Sequence, residues 1–209
     1  MTDLDFHTIP ASVHGRYVVR KGPTENLLIG FHGYGENAEV HMAELQQIPG
    51  IEQWTIVAVQ ALHPFYMHRT GAIVASWMTS QDRELAIEDN RAYVRSVVDQ
   101  FPPPRQLVFL GFSQGATMSY RAAQGSAATG LIALGGDVPP EAMESRAPMP
   151  PVLIGRGARE EWYTAEKLKR DVSFLSSITT VTTCVYEGGH EWTAEFRAAA
   201  GEFLGRLAS

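Results

Sequence analysis

Short apolar runs of strand length recur along the whole chain, and segments with helical spacing separate most of them. The candidate strands cover residues 16–20, 27–32, 54–60, 106–111, 131–136, 152–156 and 181–186. Several of these runs are apolar on both faces, which is typical of parallel strands that helices cover on two sides. The candidate helices cover residues 86–101, 118–128, 164–175 and 193–207. This alternation predicts an α/β fold with a mostly parallel, doubly wound sheet and helices on both faces.

A sheet of this kind uses nearly all of the 209 residues, so we predict a single domain over residues 1–209. The proline clusters at 102–104 and 148–151 directly precede candidate strands, which indicates rigid entries into the sheet rather than linkers. The longest stretch outside the framework covers residues 61–81 and is too short for a cap domain. We therefore expect a site covered by loops alone, with Trp77 and its neighbours as the only lid.

Charge and targeting signals limit the partners of the chain. With 23 acidic and 17 basic side chains the formal charge is −6, and no run of four Lys or Arg residues provides a footprint for nucleic acid. The amino terminus lacks the features of a signal peptide, and no stretch of eighteen apolar residues is present. We expect a cytoplasmic protein without stable membrane insertion; a homodimer is left open.

Metal and cofactor sites are not expected. The single cysteine, Cys184, excludes an internal disulfide and a zinc site built from cysteines. His41, His63 and His68 lack the spacing of zinc ligands. The glycines near residue 33 do not follow the order of a nucleotide-binding loop, so we predict neither a metal nor a cofactor.

The sharpest local signal is the sequence GFSQG at residues 111–115, a G-x-S-x-G motif between a candidate strand and a helix rich in small residues. In this context the motif forms a strained turn that exposes the central serine, and the flanking glycines leave room for the turn. The helix amino terminus behind it favours developing negative charge. Ser113 is therefore the candidate nucleophile.

A serine nucleophile needs a base, and the base needs an acid that orients it. In hydrolases with this turn the chain order is serine, acid, histidine, and His190 is the only histidine after Ser113. The acid has three candidates in loops at the carboxyl ends of strands. Glu160 is our first choice, followed by Asp137 and Glu161.

Two backbone N–H groups are expected to bind the oxyanion of an acyl-transfer intermediate. The first belongs to Gln114, which follows the nucleophile. The second is expected from Tyr34, because the segment GYG at residues 33–35 directly follows the candidate strand 27–32. His32 is interpreted as a structural residue that holds this loop.

The motifs HGYGENA (32–38), GFSQGA (111–116) and GGHEW (188–192), in that order, resemble the phospholipase/carboxylesterase family of α/β-hydrolases, which includes acyl-protein thioesterases. The resemblance extends from about residue 27 to the last helix. It implies the α/β-hydrolase fold, serine esterase activity, nucleophile Ser113, base His190, and oxyanion donors Tyr34 and Gln114. The pair Ser76-Trp77 also matches the family, which implies that Trp77 lines the acyl or alcohol pocket.

One departure from the family concerns the acid. The family usually has His-Gly-x-x-Asp at this point, whereas residues 156–160 are RGARE, which aligns Glu160 with the aspartate. The aromatic residues Trp162 and Tyr163 follow, where a small apolar residue or proline is more common. They are interpreted either as rim aromatics of the substrate pocket or as a cover for the next helix.

The main hypothesis is a serine hydrolase that cleaves carboxylic esters through an acyl-enzyme, with a small-molecule ester as its partner. An alternative is a thioesterase or lysophospholipase that acts on longer acyl chains. A hypothesis from another class is a catalytically silent binding protein with the hydrolase fold.

Overall fold

A seven-stranded sheet forms the centre of the molecule in the computed structural model, which describes residues 4–209. Its strands are β1 (Arg16–Arg20), β2 (Asn26–Phe31), β3 (Thr55–Gln60), β6 (Gln106–Phe112), β7 (Gly130–Leu134), β8 (Val152–Gly157) and β9 (Val181–Tyr186). The strands β4 (His63–Tyr66) and β5 (Ile73–Ser76) form a separate antiparallel hairpin. The strand order in the large sheet is β1-β3-β2-β6-β7-β8-β9.

Every pairing in the large sheet is parallel except that of β1 with β3. All residues of β2, β7 and β8 are buried, which explains why these strands appear in the sequence as continuous apolar runs. The chain leaves β2 toward β3 on one side and leaves β6 toward β7 on the other. Such a reversal opens a crevice at the carboxyl ends of the two neighbouring strands.

Six α-helices cover the two faces of the sheet within the described residues. They are α1 (Ala38–Leu45), α2 (Arg83–Val98), α3 (Gln114–Ala123), α4 (Pro140–Ser145), α5 (Ala165–Leu175) and α6 (Ala194–Ala208). Side chains of α1 and α6 belong to the apolar core on one face, and side chains of α2, α3, α4 and α5 belong to the core on the other. The helices therefore cover both faces, as predicted.

Local sequence signals account for several helix ends. Thr164 and Thr193 cap α5 and α6, because each hydroxyl accepts a hydrogen bond from the backbone N–H three residues later. Asn37 caps α1 in the same way, through Val40 N–H at 2.9 Å. A side-chain oxygen at this position satisfies a backbone donor that has no partner inside the helix.

The predicted α/β framework is confirmed, and all seven predicted strands lie in one sheet. The single domain stays a prediction. The largest difference in the framework concerns α3, which begins at Gln114 rather than 118 and ends at Ala123 rather than 128. It begins early because the turn at Ser113 leads directly into it, and it ends where Gln124 becomes extended and Gly125 adopts a φ of +68°. The helices α1 and α4 and the β4–β5 hairpin are not among the predicted elements. Across residues 4–209, every helix is too short or too polar to cross a bilayer.

Candidate active site

The turn that carries Ser113 lies between the end of β6 and the start of α3. Ser113 has φ = 56° and ψ = −119°, a combination that L residues rarely adopt and that stores backbone strain. Its N–H donates to Leu134 O at 2.8 Å, and its carbonyl accepts from Ala116 N–H at 3.0 Å. The strained residue is thus held by β7 on one side and by α3 on the other.

The two motif glycines are required by close backbone contacts rather than by φ. A Cβ atom on Gly111 would lie 2.0 Å from Gly115 O, and a Cβ on Gly115 would lie 2.0 Å from Phe31 O. The absence of a side chain at Gly111 lets the first turn of α3 pack directly against the end of β6. The second contact brings the start of α3 against the end of β2, which places the Ser113 turn beside the loop that follows β2.

The loops after β8 and β9 bring an acid and a base together. Glu160 Oε2 lies 2.6 Å from His190 Nδ1, and the Glu160 carboxylate is completely buried whereas the imidazole is one-quarter exposed. A carboxylate can only accept, so Nδ1 carries the proton and Nε2 keeps its lone pair. The imidazole also packs against Phe112, with ring centroids 4.8 Å apart.

The second oxygen of Glu160 is also satisfied. Glu160 Oε1 accepts from Trp162 N–H at 2.8 Å and from Tyr163 N–H at 3.4 Å. The buried guanidinium of Arg156 also holds this loop, because it donates to Tyr163 O at 2.7 Å and to Glu160 O at 3.2 Å. These contacts hold the carboxylate in one orientation toward His190.

The other two acid candidates lie elsewhere. Asp137 Oδ2 lies 3.5 Å from both Lys167 Nζ and Arg170 Nη2, so it pairs with cations of α5. Glu161 is exposed. Of the three candidates, only Glu160 is hydrogen-bonded to His190.

The loop after β2 presents the backbone N–H of Tyr34. Within residues 4–209 this N–H has no hydrogen-bond acceptor, whereas its neighbours are paired. Gly33 N–H donates to Glu36 Oε2 at 2.8 Å, and Gly35 N–H donates to Ala75 O at 3.1 Å. The loop therefore leaves one free donor next to the amino terminus of α3, where Gln114 N–H has no acceptor within its own helix.

His32 holds this loop, as predicted, and its tautomer follows from its contacts. His32 Nε2 accepts from Ala61 N–H at 3.0 Å, so Nδ1 carries the proton and donates to Gly33 O at 2.7 Å. Burial lowers the pKa of His32, which keeps the imidazole neutral, although the hydrogen bond to Gly33 acts in the opposite direction.

The three aromatic residues predicted to bind substrate occupy different positions. The side chains of Trp77 and Tyr163 are 0% and 1% exposed, so both belong to the core and neither reaches a surface that a substrate touches. This placement corrects the expectation that Trp77 forms a pocket wall or a lid, because its indole lies beneath the loop after β2. Trp162 is 75% exposed, and its role at the rim stays a prediction.

Glu36 is a residue of the site that our sequence analysis did not select. Burial raises the pKa of its carboxyl group, the hydrogen bond from Gly33 acts against this rise, and the charge of Glu44 adds to it. Its position four residues after His32, inside the HGYGEN segment, is the signal by which it could have been found. Within residues 4–209, no cluster of three or more His, Cys, Asp or Glu side chains is arranged to hold a metal ion.

The family follows from the sequence profile that the chain matches. The profile of the phospholipase/carboxylesterase family matches residues 16–207, which is nearly the whole chain. The chain belongs to the phospholipase/carboxylesterase family. Membership in this family makes the protein a hydrolase of the phospholipase and carboxylesterase type. Among curated proteins, no sequence match was found.

Solved structures share the fold of this phospholipase/carboxylesterase family member. Esterase PE8 superposes with a TM-score of 0.79 at 21% identity, covering 93% of this chain and 100% of its own. Acyl-protein thioesterase 2 from Zea mays gives 0.73 at 17% identity, with coverages of 94% and 100%. The Bacillus cereus carboxylesterase gives 0.73 at 15% identity, with coverages of 92% and 94%. At these identities the similarity shows a common fold.

Proposed function

We propose that the protein cleaves carboxylic esters with Ser113 as nucleophile, His190 as general base and Glu160 as the acid that orients the imidazole. The observation that carries the proposal is the 2.6 Å contact between Glu160 Oε2 and His190 Nδ1, at the same edge of the sheet as the strained turn of Ser113. This contact leaves His190 Nε2 as the proton acceptor, which is the tautomer that a serine hydrolase requires.

The proposed reaction has two halves. His190 Nε2 removes the proton from Ser113 Oγ as the oxygen attacks the ester carbonyl, and the amides of Tyr34 and Gln114 donate to the resulting oxyanion. The intermediate collapses, and the alcohol leaves with the proton from His190. Water, deprotonated by His190, then attacks the acyl-enzyme, and the acid is released with Ser113 restored.

A thioesterase or lysophospholipase that acts on longer acyl chains is a second candidate. The observation that favours it is apolar surface at the oxyanion loop, where the Tyr34 side chain is 62% exposed and its ring lies 5.7 Å from that of Phe65. A longer acyl chain gains more from such a surface than an acetyl group does, by about 0.8 kcal/mol for each buried methylene.

Turnover of p-nitrophenyl esters from acetyl to dodecanoyl, beside a palmitoyl thioester and a lysophospholipid, tests the proposal. We expect hydrolysis by the wild-type protein and a fall of about three orders of magnitude or more in kcat for Ser113→Ala and His190→Ala. The preferred acyl length and leaving group separate the two candidates. Flat progress curves with all substrates would instead favour the silent binding protein.

A further inference from the structure

We propose that the side chains of Gln114 and Trp77 form a relay that sets the position of the Tyr34 amide relative to the Gln114 amide. Both side chains are positioning residues, since neither contacts the reacting atoms. The proposal rests on the proposed function, because it concerns the two donors of the oxyanion site. It assigns to Gln114 a second role that is separate from its backbone N–H.

The relay starts at the first residue of α3. Gln114 Oε1 accepts from Trp77 N–H at 2.8 Å and from Ser76 Oγ at 3.3 Å, and Gln114 Nε2 donates to Met78 O at 2.8 Å. The side-chain amide thus binds the backbone on both sides of Trp77 and uses its donor and its acceptor. The chain after β5 is thereby tied to the residue whose own N–H is free for an oxyanion.

The second link runs through the indole of Trp77. Trp77 Nε1 donates to His32 O at 2.9 Å, and the ring lies 5.4 Å from Phe31 in an edge-on contact. Asn90 Nδ2 of α2 donates to Trp77 O at 2.7 Å and so holds the residue from the opposite side. The indole is completely buried, so water does not compete for its N–H.

The third link reaches the free donor. The carbonyl of His32 lies two residues before Tyr34, and the His32 ring fixes the intervening Gly33 O by its Nδ1 hydrogen bond. A displacement of His32 O therefore moves the Tyr34 amide. An error of about 1 Å in the position of a catalytic group costs on the order of 100-fold in rate, so this constraint is sufficient to affect catalysis.

Other contacts do not replace the relay. The pairing of β2 with β6 ends at Phe31 and Gly111, before either donor is reached. Gly35 N–H and Ala75 O hold the far side of the loop, and this contact leads to the hairpin rather than to α3. The backbone of Gly115 also approaches Phe31 O and His32 O closely, but without a hydrogen bond. Among residues 4–209, the indole hydrogen bond is the one that ties the carbonyl of His32 to the residue that the Gln114 side chain holds.

Two substitutions interrupt the relay at different links. Trp77→Phe keeps an aromatic ring against Phe31 and removes the N–H that His32 O accepts. Gln114→Met keeps the length of the side chain and removes both its donor and its acceptor, while the backbone N–H stays. Trp54→Phe, a buried tryptophan at the opposite end of the sheet, is the matched control for loss of an indole, and Gln100→Ala is the control for an exposed glutamine.

The test compares kcat, KM for a short ester, and Ki for a trifluoromethyl ketone. A serine nucleophile adds to the carbonyl of such a ketone, and the resulting oxyanion occupies the oxyanion site. For Trp77→Phe and Gln114→Met we expect kcat to fall and Ki to rise by similar factors of about 10 to 100, with KM changed less than about 3-fold. Both controls should keep the wild-type values once the rates are corrected for the folded fraction measured by thermal denaturation.

An unchanged Ki in folded Trp77→Phe and Gln114→Met would overturn the relay while leaving the proposed function intact. A wild-type protein that neither turns over esters nor binds the ketone would contradict the proposed function itself. Should Gln114→Met fail to fold, Gln114→Leu carries the same comparison, since it also lacks the acceptor for Trp77 N–H and the donor to Met78 O and adds no charge beside the oxyanion.

Discussion

Glu160 and His190, thirty residues apart in the chain, meet through one hydrogen bond of 2.6 Å between Oε2 and Nδ1. The contact forms because β8 and β9 are neighbours in the sheet, so that the loops after them share one edge. Glu160 uses its other oxygen for two backbone amides, which leaves Oε2 for the imidazole alone. The loop that carries Glu160 thus determines the orientation of the His190 imidazole.

Glu160→Gln should reduce kcat by about 10³ to 10⁴ with little change in KM. The amides of Trp162 and Tyr163 require an acceptor, so the glutamine oxygen turns toward them and its NH₂ group faces His190 Nδ1. This arrangement places the imidazole proton on Nε2, where it blocks removal of the serine proton. Steady-state kinetics measure the effect.

Substitutions at the other two candidate acids serve as controls for Glu160. Glu161→Gln and Asp137→Asn should keep kcat close to the wild-type value, because neither side chain is hydrogen-bonded to His190. A loss of activity in Asp137→Asn as large as in Glu160→Gln would contradict our assignment of the acid.

His41 should make the free energy of unfolding depend on pH below neutrality. Its ring is completely buried, and neither nitrogen has a hydrogen-bond partner among residues 4–209. Burial lowers its pKa from 6.5 to about 3, and protonation of the nearby His32 would act in the same direction. Between these values the unfolded chain binds a proton that the folded chain does not, so stability rises with pH up to about 6.5 and is lost as pH falls.

The slope for this histidine is about 1.4 kcal/mol per pH unit well inside that window. His32, whose pKa burial also lowers, should contribute in the same direction. Urea denaturation at several pH values between 4 and 8 should therefore show a weaker pH dependence for His41→Leu than for the wild type. His68→Gln, at an exposed histidine, is the matched control, and an equal slope in wild type and His41→Leu would contradict the prediction.

Alanine should have opposite effects at two helical glycines. In Gly115→Ala the new Cβ meets Phe31 O at 2.0 Å, and backbone on both sides resists movement, so we expect a loss of about 3 kcal/mol or more and a displaced nucleophile turn. In Gly205→Ala of α6 the Cβ has no heavy atom within 4 Å, and the higher helix propensity should stabilise the protein by about 1 kcal/mol. Thermal denaturation compares the two, and tolerance of alanine at Gly115 would contradict the close approach of α3 to β2.

Trp162→Ala tests the role of the exposed aromatic next to the acid. The substitution keeps the backbone N–H that Glu160 accepts, so kcat for a short ester should stay close to the wild-type value. If the indole binds acyl chains, KM should rise by about 3-fold to 10-fold for long chains only, since burial of one aromatic face contributes about 1 kcal/mol. A uniform change in KM across chain lengths would argue against contact with the acyl group.

The fold was predictable because its strongest signals are local. Buried parallel strands such as β2 and β8 are apolar on both faces, and the glycine-flanked serine after β6 indicates its own turn. The β4–β5 hairpin has no such signal, since its first strand is His63-Pro64-Phe65-Tyr66 and its contact with the oxyanion loop joins residues that are forty positions apart.

The proposed site follows from the sequence to the extent that single loops define it. Ser113 and His190 follow from motif and chain order, whereas Glu160 and Asp137 both follow strands and differ only in which neighbours the sheet brings to them. The resemblance to the family also implied a pocket position for Trp77, because a Ser-Trp pair does not reveal whether the indole points outward or beneath a loop. The role proposed for the Gln114 side chain, in addition to that of its backbone N–H, likewise depends on the chain after β5 lying next to α3.

Intact-mass analysis after reaction with a fluorophosphonate tests the central claim most directly. The wild-type protein should gain one phosphonyl group and lose esterase activity in step with labelling, and Ser119→Ala should behave alike. Ser113→Ala should gain none. An unlabelled wild-type protein, or an adduct of undiminished yield on Ser113→Ala, would contradict the assignment of Ser113 as the nucleophile.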